Sequence, residues 1–141
     1  MFNLFGNERL TEWKRFRDSL EVSQTPFEDV ANLWANAPFV SPYLNPTNSA
    51  EWPDPWHLIL DGKLDDLAIC LGMLYTLKLT QRFMDTNFEI HTSMFPDKEE
   101  LSYMLIVDNK HVLNLEYKNV VDVEKIKDLK TKLIWSKTNV L

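Results

Sequence analysis

From Leu64 to Leu79 the chain carries apolar residues on nearly every side of a helix, with Asp65 and Asp66 at the start and Lys78 near the end. A helix that is hydrophobic all round has to be covered all round. The segment therefore predicts a buried central helix, with the rest of the chain as its wrapping. The run is shorter than the roughly 20 apolar residues that cross a bilayer, which argues against a membrane span. The paired acids suit the positive end of the helix dipole. The 141 residues are enough for one domain with its own core and too few for two ordinary ones.

The wrapping changes character along the chain. Leu10, Trp13, Phe16 and Leu20 recur at helical spacing and predict an amphipathic helix over 7–20. Thr25-Pro26-Phe27-Glu28 reads as a second helix start, with Thr25 as cap, Pro26 at the first position and Glu28 reaching back in a capping box. Pro38, Pro42, Pro46, Pro53 and Pro55 make 36–55 a stiff, non-helical connection, long enough to predict a function of its own. Asp54-Pro55 through Gly62 reads as a short capped helix. After Phe83 the period shortens. Residues 102–107 and 111–117 read as a hairpin with 88–92 as a neighbouring strand, 120–121 as its continuation, 123–129 as a short helix and 132–135 as a last strand. Helices first and strands after predict an α+β domain, with a central buried helix packed on an antiparallel sheet behind an N-terminal helical segment.

Charge and cysteine usage narrow the function classes. Lys and Arg total 15 against 21 Asp and Glu, a net charge of -6, so a nucleic-acid surface is not expected. Hydrophobic residues make up 45%, too many for a disordered chain. A lone Cys70 excludes an internal disulfide and a cysteine zinc cluster. His57, His91 and His111 share no metal-ligand spacing, so neither a metal nor a cofactor is expected. The first residues lack a basic region followed by a long apolar run, and the expected compartment is the reducing cytoplasm, with Cys70 a buried thiol.

Trp52-Pro53-Asp54-Pro55-Trp56-His57-Leu58-Ile59, followed by Gly62-Lys63-Leu64-Asp65-Asp66-Leu67-Ala68-Ile69, resembles the heart of the bacterial transglutaminase-like cysteine peptidases. In that family a Trp-x-x-Pro segment leads into a short helix, and Gly-Asp-Cys-Glu-Asp-Tyr-Ala opens the central helix with the nucleophilic Cys. A strand beginning with His then pairs with a strand ending Tyr-Val-Leu-Asp. Residues 102–107 and 111–114 resemble those two strands. The resemblance spans about 52–126 and implies a papain-like fold. Residues 1–51 form N-terminal helices and the Pro-rich loop, 52–141 the transglutaminase-like core, in one compact domain overall. Small proteins of tailed phages carry similar stretches, so the resemblance extends to a phage source, with a host cytoplasm or a virion as location.

Carried over residue by residue, the nucleophile position falls on Leu64, the acid before it on Lys63, the base on Ser102 and the orienting acid on Asn114. Thiolate catalysis needs a Cys, a base within hydrogen-bond reach and a group that orients the base. The resemblance therefore implies a degenerate site with no catalytic residue. The expectation is a pseudoenzyme: a catalytically inactive transglutaminase-like domain that binds a protein partner or a second copy, or serves as a structural part of a phage particle. The cleft is expected to persist as a groove lined by Leu64, Trp52, Trp56, Ser102 and Asn114. Phe39, Tyr43, Trp52 and Trp56 are its candidate partner-binding aromatics. The alternative is a cysteine or carboxylate hydrolase with a rearranged site, using Cys70 or Asp65 with His57 or His111. Asp65 and Asp66 diverge by about 100° as helical neighbours, which favours helix-start charge over a paired-carboxylate centre.

Overall fold

Leu67, Ala68, Cys70, Leu71, Leu74 and Leu77 are all buried, leaving one helix with almost no solvent face. The structure, a computed structural model, describes residues 1–38, 40–93 and 101–137. That helix is α4 (Asp66–Lys78), preceded by α1 (Gly6–Leu20), α2 (Pro26–Trp34) and α3 (Pro55–Asp61). The strands follow as β1 (Phe88–Ser93), β2 (Ser102–Val107), β3 (His111–Glu116), β4 (Asn119–Asp122) and β5 (Lys132–Lys137). The architecture is α+β, and every strand pairing is antiparallel, in the order β4-β3-β2-β1-β5. The last strand thus adds to the outer edge of the first. No helix among the described residues is long and apolar enough to cross a membrane.

The sheet is apolar on both faces. Phe88, Ile90, Leu105, Val107 and Leu113 turn toward α4 and join one cluster with Trp13 of α1 and Trp34 of α2. Met104, Ile106, Val112, Val121 and Ile126 make a smaller cluster on the other face, where the 3-10 turn Val123–Ile126 contributes its last residue. This explains why 102–107 reads as a nearly continuous apolar run: β2 is covered on both sides.

Three helices meet at one hydroxyl. Thr76 Oγ1 accepts from Trp13 Nε1 at 3.0 Å and from Trp34 Nε1 at 3.1 Å, and donates to the Gly72 carbonyl at 2.6 Å. Gly72 lies under the Trp34 ring, so closely that a Cβ there would run into it.

Helix ends follow the sequence with one exception. Asp54 caps α3 by accepting from His57 N at 2.8 Å, and Gly62 closes it in the left-handed region at φ 66. Thr25 does occupy the cap of α2, but its side chain does not bond the helix backbone. The carboxylate of Asp29 takes the Thr25 and Ser23 hydroxyls instead, at 3.0 and 2.6 Å, and the expected capping box does not form.

Candidate functional site

The amino end of α4 is built by two neighbouring carboxylates that reach in opposite directions. Asp65 is the N-cap. It is 2% exposed, and its Oδ1 accepts from Ala68 N at 2.7 Å. Its Oδ2 accepts from Tyr43 N at 2.8 Å and Leu44 N at 3.0 Å, so one side chain both starts the helix and anchors the Pro-rich loop. Asp66, one residue on, points to the sheet. Its Oδ2 accepts from Tyr103 N at 2.9 Å and its Oδ1 from Asn114 Nδ2 at 3.1 Å. Asp65 is still extended, at φ -80 and ψ -179, while Asp66 is the first helical residue, and this change of backbone separates the two roles.

Strand geometry selects which residues face this helix end. Side chains alternate along β2, so Tyr103 shares the face of Leu105 and Val107, while Ser102 shares that of Met104 and Ile106. By the same alternation Asn114 should turn away from α4. It does not, because β3 carries a register shift between Val112 and Glu116, with Asn114 in the left-handed region at φ 68. A bulge re-aims one side chain, and Asn is among the residues that tolerate that backbone. The Asn114 amide donates to Asp66 Oδ1, to the Tyr103 carbonyl at 2.9 Å and to Cys70 Sγ at 3.3 Å.

Cys70 is fully buried behind this cluster. Burial first, and the Asp66 carboxylate second, push its thiol well up, so it is protonated at neutral pH. The histidines are held elsewhere. His57 is exposed on α3, with Nδ1 at 2.8 Å from Asp54 Oδ2. His91 lies between Glu89 and Thr131 at 2.9 Å from each, and His111 packs against the Phe27 ring. Among the described residues, Cys70 and Asp65, the two groups a rearranged site would use, are hydrogen-bonded to Asn114, Tyr43, Leu44 and Ala68 and not to a histidine. Among the described residues no group of three or more His, Cys, Asp or Glu is placed to hold a metal ion.

Two cavities flank Asp66. One of about 340 Å³ lies between the loop residues Pro42, Leu44 and Pro46 and the sheet residues Leu101 and Tyr103, with Asp65 and Asp66 at the helix end. Burial, then Asp65 and Asp66, raise the Tyr103 phenol against a smaller opposing effect of its hydrogen bond with Thr92, which keeps it neutral on that wall. The other, about 240 Å³, lies between α2, α4 and the β3–β4 turn, with Asn114 and Trp34 in its lining.

The residues singled out in the sequence are not gathered in one cleft. Leu64 precedes the N-cap and is 1% exposed, sealed in the core with its carbonyl accepting from Val40 N. Trp52 is partly buried and donates from Nε1 to the Asn45 carbonyl at 2.7 Å. Trp56 lies on α3 edge-on to Trp13, with the Arg17 guanidinium over both rings. Tyr43 is half exposed, and its hydroxyl donates to the Lys63 carbonyl. Phe39 lies outside the described residues. Tyr103, Leu101, Pro42 and Pro46 are the site residues the sequence reading missed. Alternation anchored on the apolar residues Leu105 and Val107 was the signal for Tyr103.

No family model matches the chain, and no curated protein matches it. Among solved structures it is similar to Legionella pneumophila LapG. The calcium-bound form gives a TM-score of 0.70 at 18% identity, covering 93% of this chain and 75% of LapG. A second LapG structure gives 0.66 at 18% identity, covering 96% and 78%. LapG is a bacterial transglutaminase-like cysteine protease, and the fold of this chain is the transglutaminase-like one. The expectation that the chain is not an enzyme is corrected by this finding. It rested on side-chain types at Leu64, Ser102 and Asn114, whereas the fold over nearly the whole chain is similar to that of the cysteine protease LapG, at 18% identity. Of these three positions, Asn114 does reach the helix end, through Asp66 Oδ1. Alternation turns one of them, Ser102, away from the helix end. Neither neighbour bears on the phage expectation.

Proposed function

We propose that this chain binds an extended polypeptide in the groove at the amino end of α4, between the Pro-rich loop and the start of β2. The observation that carries the reading is the construction of that groove. Pro42, Leu44 and Pro46 on one side and Leu101 and Tyr103 on the other give apolar walls, and Asp65 pins the loop wall to the helix through two backbone amides. A concave, largely apolar site with a few fixed polar groups suits a peptide segment. Tyr103 offers a large contact area and an uncharged ring. The protease fold favours turnover of the bound segment. A thiolate is not available for it at this groove, because Cys70 is enclosed and protonated. Hydrolysis here would be that of a rearranged site.

The test is fluorescence anisotropy with short labelled peptides from a random library, on wild type and on Tyr103→Ala. Binding should weaken by about tenfold in the variant, as for an interface aromatic. Mass spectrometry of the same mixtures tests the hydrolase reading through cleavage products. Peptide binding that is unaffected by Tyr103→Ala, in a variant that melts like wild type, would reject the groove.

A further inference from the structure

We infer that the groove continues into a second cavity that reads a carboxylate, so that the polypeptide it takes carries an acidic group on that side. This rests on the groove reading above and adds the class of segment selected. Pro46 and Leu101 line both cavities, which makes the second, of about 280 Å³, a neighbour sharing a wall with the first. Its chemistry differs. Where the first ends on Asp65 and Asp66, the second is lined by Thr92, Ser93, Lys130 and Lys132. Thr92 Oγ1 donates to the Ser102 carbonyl at 3.1 Å and Ser93 Oγ to the Lys130 carbonyl at 3.0 Å. Those hydroxyl hydrogens are engaged within the protein, and the two ammonium groups are the donors left to face a ligand.

Neither lysine is in an ion pair among the described residues. In a chain of net charge -6, this is a local positive end on a trough whose other end is negative. A carboxylate is repelled from the Asp65–Asp66 end and drawn to the lysine end, so charge sets the direction in which an extended segment lies. The carboxylate is an Asp or Glu side chain or a free C-terminus. Both present the same group to Lys130 and Lys132.

The experiment selects short random peptides, made with free and with amidated C-termini, on wild type, on Tyr103→Ala and on the double variant Lys130→Gln/Lys132→Gln. Both exposed lysines can be changed without touching the core, and matched thermal melts check this. Wild type should enrich acidic peptides, and replacing the selected Glu by Gln, or amidating the terminus, should weaken binding about fivefold. The preference should shrink as salt rises from about 0.05 to about 0.5 M. The double variant should bind the acidic and neutral members of each pair alike. Dependence on Glu in amidated peptides identifies the side chain, and dependence on amidation identifies the terminus. Tyr103-dependent binders with no acidic preference, or a preference that survives in the double variant, would overturn this inference and leave the groove standing. A selection with no Tyr103-dependent binders would remove both.

Discussion

At an ordinary helix start, Asn is as good a cap as Asp. Asp65 is predicted to break that rule. Its Oδ1 takes the helix amide of Ala68, while Oδ2 takes the loop amides of Tyr43 and Leu44. Asp65→Ala removes all three acceptors. The cap contributes about 1 kcal/mol, and each loop amide, part-buried and bonded to a carboxylate, about 1.5 kcal/mol more, so the loss should be about 4 kcal/mol. Asp65→Asn offers a single acceptor oxygen. Whichever way the amide turns, its NH₂ group faces backbone N–H donors on one side, and the loss should still be about 2 kcal/mol. Urea unfolding followed by tryptophan fluorescence reads both, as shifts in midpoint at constant slope. Protease nicking in 40–48 should rise in both variants, since the loop loses its anchor. An Asn variant as stable as wild type, with an equally resistant loop, would show that Asp65 is a plain cap and that the groove wall is held by something else.

The Cys70 thiol, raised by burial, should react slowly with a thiol reagent in native protein at neutral pH and rapidly in denaturant; fast native labelling would contradict its enclosure. Gly72→Ala should cost about 3 kcal/mol or prevent folding, because the added methyl meets the Trp34 ring; a wild-type melting curve would refute that packing. The Asp54 hydrogen bond holds the His57 imidazole above the ordinary histidine value. A raised folded-state pKa gives a contribution that is complete in acid and disappears as pH rises through it. His57 should therefore titrate by NMR at a higher pH than an ordinary histidine and return toward that value in Asp54→Asn, and an unchanged midpoint in the variant would sink the assignment.

The elements that sequence made legible are those whose signals are local. Leu10, Trp13, Phe16 and Leu20 mark α1 because a helix repeats its buried face within the segment itself, and Asp54-Pro55 and Gly62 mark both ends of α3. The central helix was legible because Leu67 to Leu77 leave no polar stripe. What failed to show is what depends on distant partners. Nothing in 132–137 says that β5 pairs with β1 rather than β4. Trp56 reads as a groove aromatic until α1 supplies Trp13 and Arg17 beside it. The re-aiming of Asn114 comes from one left-handed residue inside an otherwise alternating strand, and no pattern in the neighbouring side chains announces it. Of the positions Leu64, Ser102 and Asn114, strand alternation turns Ser102 away from the helix end and the bulge brings Asn114 to it, neither of which local sequence displays.

The Thr76 hydroxyl ties four positions to a common history. Its oxygen has two lone pairs and spends both on indoles, so Trp13 and Trp34 can be exchanged for other large rings one at a time while the hydroxyl keeps a partner. Thr76 can give way to an apolar residue only after both indoles are gone, because either one left behind would hold a buried donor with no acceptor. A side chain at Gly72 has to wait for a smaller residue at position 34. Drift across α1, α2 and α4 is thereby ordered: some sequences compatible with this fold can be reached by one path through these four positions and not by another.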